Sequence, residues 1–303
     1  MFILSVLALR SAEGKDAAPV AEETFIPAVK WSGLLQFWNQ VSDNKWDQTF
    51  HYVRLKATAL VDPQTKVLVM PVLGTNTNFT LLDAFVQRDL GNDWTLTGGQ
   101  FKFAFGDDRV LFPDQLKRVD YAKMDKFAFP GNPWDMGFKV KKVFGDFTVL
   151  ADVIQGAGPN VLKDNDNFKD ISTRLEWKTG EWLIGGSYYG GTGNTTGFIT
   201  YQSWFGAHAR YSSGGFDARA EGIWAPLGKN AYLVQTSYRS GDLEPLAWGE
   251  LGLMGASQNY QLLGAGINYW VAKQTRLSLN GTLNGRSDFS GPALVIFQIE
   301  QTF

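Results

Sequence analysis

The sequence predicts an all-β protein, and more narrowly a transmembrane antiparallel β-barrel of about 16 strands. Three observations lead to this prediction. Apolar and polar residues alternate one by one in about sixteen segments between residues 28 and 303, and this period of two is typical of β-strands. Short turns and longer polar connections follow one another along the same stretch. The composition combines 14% aromatic residues and 33 glycines with a mean hydropathy of only −0.16, as expected where only one face of each strand is apolar.

Each predicted strand has its charges on one face and its apolar side chains on the other. In 48–61, for example, Val53 and Leu55 alternate with Arg54 and Lys56. The predicted strands are 28–41, 48–61, 66–73, 80–90, 94–106, 135–144, 146–155, 169–178, 181–190, 203–212, 215–225, 230–240, 244–255, 260–272, 275–284 and 293–303. A helical period is seen only in part of 109–126, so helix contributes little to the predicted fold.

The connections differ in length according to their order in the chain. The even-numbered ones are tight turns, such as 62–65 and 179–180, whereas the odd-numbered ones tend to be longer and more polar, as at 156–168 and 190–202. Single-chain barrels of the bacterial outer membrane have an even number of strands, short periplasmic turns and longer outer loops. A β-sandwich has no reason to keep this parity, so the connections favour a membrane barrel.

Charges in the middle of strands bear on which face points outward. A soluble barrel would bury its apolar face, but about sixteen soluble strands would enclose an interior too wide for side chains to fill. A membrane barrel instead turns the apolar face to lipid and the charges to a water-filled lumen. Aromatic girdles are also expected at the strand ends of such a barrel, and the tryptophans near predicted strand ends are Trp46, Trp94, Trp134, Trp177, Trp182, Trp224 and Trp270.

The remaining composition excludes several classes of function. The chain has no cysteine and two histidines, so we predict no metal site and no cofactor. Its net charge of −2 argues against nucleic-acid binding. His208 is near Ser203 and Ser212 in the sequence, but no catalytic signature surrounds it, so we predict that the protein is not an enzyme. Residues 1–27 are either a signal-like segment or a disordered tail, and residues 28–303 are assigned to the barrel.

Two nearby stretches carry a resemblance to a known family. Residues 50–62 form a strand with the basic string Arg54-Leu55-Lys56, and 81–106 contain the strings Asp83-Ala84-Phe85-Val86 and Gly99-Gln100-Phe101-Lys102, then Phe105-Gly106. These motifs resemble those of the phosphate-selective porin O and P family. The resemblance is specific over 50–106 and only architectural elsewhere. It implies a sixteen-stranded outer-membrane barrel, usually a homotrimer, with the longest connection, 107–134, folded into the lumen as a constriction loop.

The basic residues on the polar faces are the candidate pore-lining residues: Arg54, Lys56, Lys102, Lys139, Lys141, Arg174, Arg210, Arg219 and Arg239. Arg276 is a further basic residue on a polar face. The acidic residues on the same faces are fewer: Asp83, Asp152, Glu176, Asp217, Glu221 and Glu300. An excess of one sign in a water-filled pore concentrates counter-ions, which predicts a mild anion preference. Alternatively many pairs neutralise each other, as Arg219 could with Asp217 or Glu221.

The predicted constriction loop has charges of both signs. Its basic residues are Arg109, Lys117, Arg118, Lys123 and Lys126, and its acidic residues are Asp107, Asp108, Asp114, Asp120 and Asp125. This balance is consistent with a constriction crossed by a transverse field, and equally with a solvated outer loop. At the other end of the chain, Phe303 follows an alternating strand, and by resemblance we expect it to be the signal read by the outer-membrane assembly machinery.

The sequence therefore favours a porin of the bacterial outer membrane, embedded in its lipid, for small anions or other small solutes, with phosphate as one candidate. Two alternatives remain open at this point. One is a plugged structural or secretion-associated outer-membrane barrel. The other is a soluble secreted β-protein, for example one that binds carbohydrate.

Overall fold

The computed structural model describes residues 28–42, 45–74, 79–127, 132–162, 168–195, 198–253, 259–284 and 293–303. The signal-like segment 1–27 lies outside these residues. The first eight strands are β1 Val29–Ser42, β2 Lys45–Asp62, β3 Thr65–Gly74, β4 Phe79–Gly91, β5 Trp94–Lys102, β6 Trp134–Phe144, β7 Phe147–Ile154 and β8 Asp170–Thr179. The other eight are β9 Trp182–Thr195, β10 Phe198–Ser213, β11 Phe216–Trp224, β12 Asn230–Tyr238, β13 Leu243–Leu253, β14 Tyr260–Ala272, β15 Thr275–Asn284 and β16 Leu294–Thr302.

These strands close into one antiparallel barrel, which confirms the predicted fold. Each strand pairs with the next, and β1 pairs with β16 from Leu34 opposite Thr302 to Val41 opposite Val295. Closure leaves no sheet edge with unpaired N–H and C=O groups, which would be costly in lipid. We call the end with the short connections, such as those after β2 and β8, the turn side, and the opposite end the loop side.

Three strand ends differ from the prediction by four residues or more. Strands β9 and β10 stay paired as far as Thr195 and Phe198, so most of segment 190–202 is a β-hairpin and the loop predicted there was wrong. Backbone pairing across the hairpin outweighs the low strand propensity of its glycine-rich sequence. Strand β5 ends at Lys102, four residues early, and the left-handed backbone of Gly106 (φ 71°) lies just beyond it.

The two faces of the barrel are inverted relative to a soluble protein. Outward-facing apolar side chains such as Val69, Phe138 and Val234 are 41–66% exposed, whereas polar side chains such as Gln36 and Gln298 are fully buried inside. This is the pattern of a membrane-spanning barrel. Five of the tryptophans named above lie on the outer face. For the other two the girdle expectation was wrong: Trp134 is buried, with Nε1 donating to Asp83, and Trp270 borders an internal cavity.

Helix is scarce in the part of the chain that the structure describes. A 3₁₀ turn spans Pro113–Gln115, a short helix α1 spans Lys123–Phe127, and a second 3₁₀ turn spans Pro226–Gly228. None of the helices among these residues has the length and apolar character needed to cross a bilayer. The first two belong to the long connection between β5 and β6, which occupies the lumen and forms the candidate site.

Candidate channel constriction

The long connection folds inward because one side of it is apolar. Phe103, Phe105 and Met124 are 0–3% exposed and belong to a cluster with Trp204 of β10 and Tyr260 of β14. Each such side chain contributes about 1.5–3 kcal/mol on burial. We call residues 103–127 the constriction loop. Its position inside the barrel excludes the alternative of a solvated outer loop.

Asp107 is the central ionic anchor of the constriction loop. Its carboxylate is fully buried and is contacted by Arg174 of β8 at 2.9 Å, Arg210 of β10 at 2.5 Å and Arg219 of β11 at 3.1 Å. Burial alone would raise the pKa of Asp107, but Arg219 and Arg210 outweigh it and hold the pKa below its usual range. Three wall strands, β8, β10 and β11, therefore place arginines on one loop carboxylate.

Asp108 forms a second anchor next to the first. Arg118 and Arg219 reach its carboxylate at 2.7 and 2.5 Å, and the backbone N–H of Ala122 donates to its other oxygen at 2.7 Å. The backbone N–H groups of Asp107 and Asp108 in turn donate to the carboxylate of Glu221 on the wall. The loop turn at 107–108 is thus fixed through both its side chains and its backbone.

The tip of the loop is tied to wall strands that are far apart in the barrel order. Arg54 of β2 donates to Asp114 at 2.6 Å, and Lys117 contacts Glu244 of β13 at 2.5 Å. Between these two contacts, Arg276 of β15 donates to the backbone oxygen of Leu116 at 2.7 Å. Segment 114–117 therefore bridges the lumen.

All nine predicted pore-lining residues lie on inward-facing positions, but most of the arginines are engaged by carboxylates. Arg174, Arg210 and Arg219 hold Asp107, Arg54 holds Asp114, and Arg239 stacks on the Trp270 ring at 3.9 Å. Arg276 likewise pairs with Glu300 at 2.9 Å. Arg219 also contacts Glu221 of its own strand at 3.3 Å, whereas Asp217 accepts from Ser212. Carboxylate partners therefore offset much of the positive charge of the arginines.

The lysines are less compensated. Lys102 donates to the Leu111 carbonyl oxygen and to the Tyr121 hydroxyl, and Lys139 lies 4.0 Å from Asp152. Lys56 and Lys141 border a cavity of about 680 Å³ between the loop and the β2–β10 wall on the turn side. Lys66 of β3 is within electrostatic reach of both. We call Lys56, Lys66 and Lys141 the lysine cluster.

The sequence analysis missed Lys66 for an identifiable reason. Its neighbours on the inner face of β3 are Leu68, Met70 and Val72, so a period of two places Lys66 on a face that is otherwise apolar. The signal that could have identified Lys66 is its position next to the turn at 62–65. There the inner face of β3 is no longer packed against the loop and is open to water.

Most basic residues of the constriction loop bond to other groups of the protein. Arg109 is 4% exposed and donates to the backbone oxygen of Asp125 at 2.7 Å, and Arg118 is 3% exposed. Lys117 reaches Glu244, and Lys123 borders a cavity on the loop side. The side chain of Lys126 lies outside the described residues. Arg109 and Arg118 therefore stabilise the loop instead of facing the water of the lumen.

One cluster in the described residues has the composition of a metal site but not its electrostatics. Oxygen and nitrogen atoms of Asp107, Glu176 and His208 lie within 4.8 Å of one another. Arginines already occupy both carboxylates, at 2.5–3.1 Å from Asp107 and 2.6 Å from Glu176, so a cation would meet like charge. Neither of the two serines near His208 in the sequence activates it, since Ser203 lies near Tyr188 on the outer face and Ser212 bonds Asp217.

Comparison with solved structures identifies the architecture. The anion-selective porin from Comamonas acidovorans superposes with a TM-score of 0.69 at 12% identity, over 92% of this chain and 100% of that one. Salmonella typhi OmpF in complex with daunomycin superposes with a TM-score of 0.71 at 10% identity, over 91% of this chain and 97% of that one. In-vitro folded OmpT of Vibrio cholerae, in its trimer form, superposes with a TM-score of 0.65 at 13% identity, over 91% of this chain and 99% of that one.

Sequence comparison adds no closer assignment. No protein-family model and no curated protein match the chain, so the resemblance to the phosphate-selective porin O and P family stays a prediction. At 10–13% identity the structural likeness establishes the fold alone, and the chain has the fold of the bacterial outer-membrane porins.

Proposed function

We propose that the protein is a porin of the bacterial outer membrane, a water-filled channel through which small hydrophilic solutes and ions diffuse passively, with a mild preference for anions. The porin fold and the apolar outer face support the channel and its lipid surroundings. Assembly as a homotrimer is part of the proposal, and the trimer form of the similar OmpT structure supports it.

The observation that carries the anion preference is the lysine cluster. Its three ammonium groups have no ion pair with any carboxylate of the described residues, and Lys56 and Lys141 add their positive charge to that of Lys66. The cavity beside the cluster is lined by more basic side chains than acidic ones, its carboxylates being Asp83 and Glu176. A confined, water-filled space with an excess of one sign of charge concentrates ions of the other sign. The arginines contribute less because loop and wall carboxylates compensate them.

Reconstitution into a planar lipid bilayer tests this proposal directly. Under a KCl gradient the reversal potential is expected to shift from zero toward the chloride equilibrium potential. The permeability ratio of chloride to potassium should be only a few-fold, because much of the lumen charge is compensated. A reversal potential on the potassium side would contradict the anion preference. Replacing chloride by phosphate in the same bilayer measures whether phosphate is favoured over a simple halide.

A plugged structural or secretion-associated barrel is the second candidate, and the bridge formed by segment 114–117 favours it. A variant in which residues 110–121 are replaced by a short Gly-Ser linker separates the two. For a porin, the parent protein conducts and the variant conducts moderately more. For a plugged barrel, the parent protein is silent and only the variant conducts.

We also propose that Phe303 serves as the assembly signal. Its ring covers Gly33 of β1, and its backbone exchanges two hydrogen bonds with Gly33, at 2.9 and 3.3 Å. The residue expected to be recognised during insertion is therefore also part of the β1–β16 seam that closes the barrel.

A further inference from the structure

A second, chemically different chamber lies on the loop side of the barrel. It is a cavity of about 220 Å³ between the constriction loop and the inner faces of β1 and β13–β16. It lies on the other side of the loop from the lysine cluster. The volume corresponds to about seven water molecules at ~30 Å³ each, which is enough for one six-membered ring.

Two tryptophans in fixed positions line this chamber. The ring of Trp248 lies directly on Gly264, where a Cβ would come within 2.1 Å of the ring. Trp38 stacks on His51, with ring centroids 3.4 Å apart and planes 9° apart, and its Nε1 donates to Gln298 at 2.6 Å. Rigid aromatic surfaces bind flat apolar faces with little loss of conformational entropy.

A buried amide in the same wall has an unused donor. Asn280 is 2% exposed and its Oδ1 accepts from the backbone N–H of Val119 at 3.2 Å. Its Nδ2 has no hydrogen-bond partner among the described residues. Buried donors are almost always paired, so an acceptor brought by a ligand would complete this group. Gln40 and Thr282 add a further amide and hydroxyl to the lining.

The charges around this chamber are balanced, unlike those of the lysine cluster. Lys123 and Arg118 line it together with Asp120 and Glu250. Arg118 is already bound to Asp108 and Gln235. A small ion therefore gains no net attraction here, whereas a neutral molecule with one apolar face and several oxygens matches the lining.

We propose that this loop-side chamber is a binding subsite for a neutral pyranose sugar. The C–H face of the sugar ring packs on the tryptophans, and a ring or hydroxyl oxygen accepts from Asn280 Nδ2. The subsite needs only the folded barrel and its loop, so it is independent of whether the pore conducts or prefers anions.

Saturation-transfer NMR on the detergent-solubilised protein, with D-glucose as the probe, tests the subsite without any current measurement. Saturable binding is expected, with transfer strongest to the ring C–H protons. Trp248→Ala should weaken binding at least tenfold, and Asn280→Ala several-fold. Trp182→Ala removes a tryptophan of the outer face and should leave binding unchanged.

Three results would overturn the proposal. The first is no saturable glucose binding by the parent protein. The second is equal binding by the parent and by folded Asn280→Ala and Trp248→Ala proteins, with folding verified by the barrel's resistance to SDS without heating. The third is equally strong binding of mannitol, which has the hydroxyls without the ring.

Discussion

Arg54 on β2 donates a 2.6 Å hydrogen bond to Asp114 at the tip of the constriction loop, and so ties the loop to the wall that bears the lysine cluster. On the other side, Lys117 ties the same tip to Glu244. The loop is therefore held at its base by buried arginines and at its tip by two more exposed pairs. These two kinds of anchor predict different consequences when they are broken.

Arg54→Gln is expected to loosen the tip without unfolding the barrel. The pair is partly open to water, so the stability loss should be within about 1 kcal/mol, while single-channel conductance rises and becomes noisier. Arg88→Gln, which removes an exposed pair with Asp62 on the turn side, is the matched control. Bilayer recordings in which both variants behave like the parent would argue against a role for Arg54 in holding the loop.

Asp107→Asn should be far more damaging than Asp114→Asn. It leaves Arg174, Arg210 and Arg219 facing a neutral amide in a fully buried site, and breaking a buried pair costs about 3–5 kcal/mol. Urea unfolding followed by the heat-modifiable mobility of the barrel measures the loss. A midpoint shift no larger than that of Asp114→Asn would show that the network is not the central anchor.

The Asp107 anchor also predicts an acid transition. The folded-state pKa of this carboxyl lies below its unfolded value, so its stabilising contribution is complete above about pH 3.9 and is lost as pH falls through the folded value. The gap in urea midpoint between the parent protein and refolded Asp107→Asn should therefore stay level from neutral pH to about pH 4 and narrow only below it. A gap that does not narrow below pH 4 would contradict this prediction.

Charge reversal in the lysine cluster should move ion selectivity toward cations. Lys56→Glu combined with Lys141→Glu changes the local charge by four units beside Lys66, and the reversal potential under a KCl gradient should cross zero. Lys142→Glu is the control, because Lys142 neighbours Lys141 in sequence but lies over the Trp94 ring. A reversal potential unchanged in the double variant would place the selectivity elsewhere.

Phe303→Asp should lower the folded yield in the outer membrane while pores that do assemble conduct normally. Refolding into detergent separates the two roles of this residue. Normal refolding in vitro with poor yield in cells indicates a recognition signal, whereas poor refolding in both indicates that the ring over Gly33 is needed for the seam. Normal yields in both settings would contradict the proposal. Phe297→Asp, on the same outer face of β16, reports the general cost of a charge facing lipid.

The strands can be predicted from the local sequence because the two faces of a β-strand appear there as an alternation with a period of two. The alternation of Val53 and Leu55 with Arg54 and Lys56 fixed both the strand and its two faces, and the parity of the turns fixed the order of connections. The pattern failed where context overrides it, as in the paired hairpin at 190–202 and the inward-facing Trp134 and Trp270.

The sequence by itself determined the strand number and the separation of charged from apolar faces, because both are set by neighbours along the chain. Only the tertiary structure decided which charges remain uncompensated. Asp107 is 67 residues from Arg174 and 103 from Arg210, and no local pattern records that they meet. The loop-side chamber is likewise a product of the tertiary structure. Its Trp248 ring lies on the bare backbone of Gly264 in the next strand, a contact that forms only when the two strands pair.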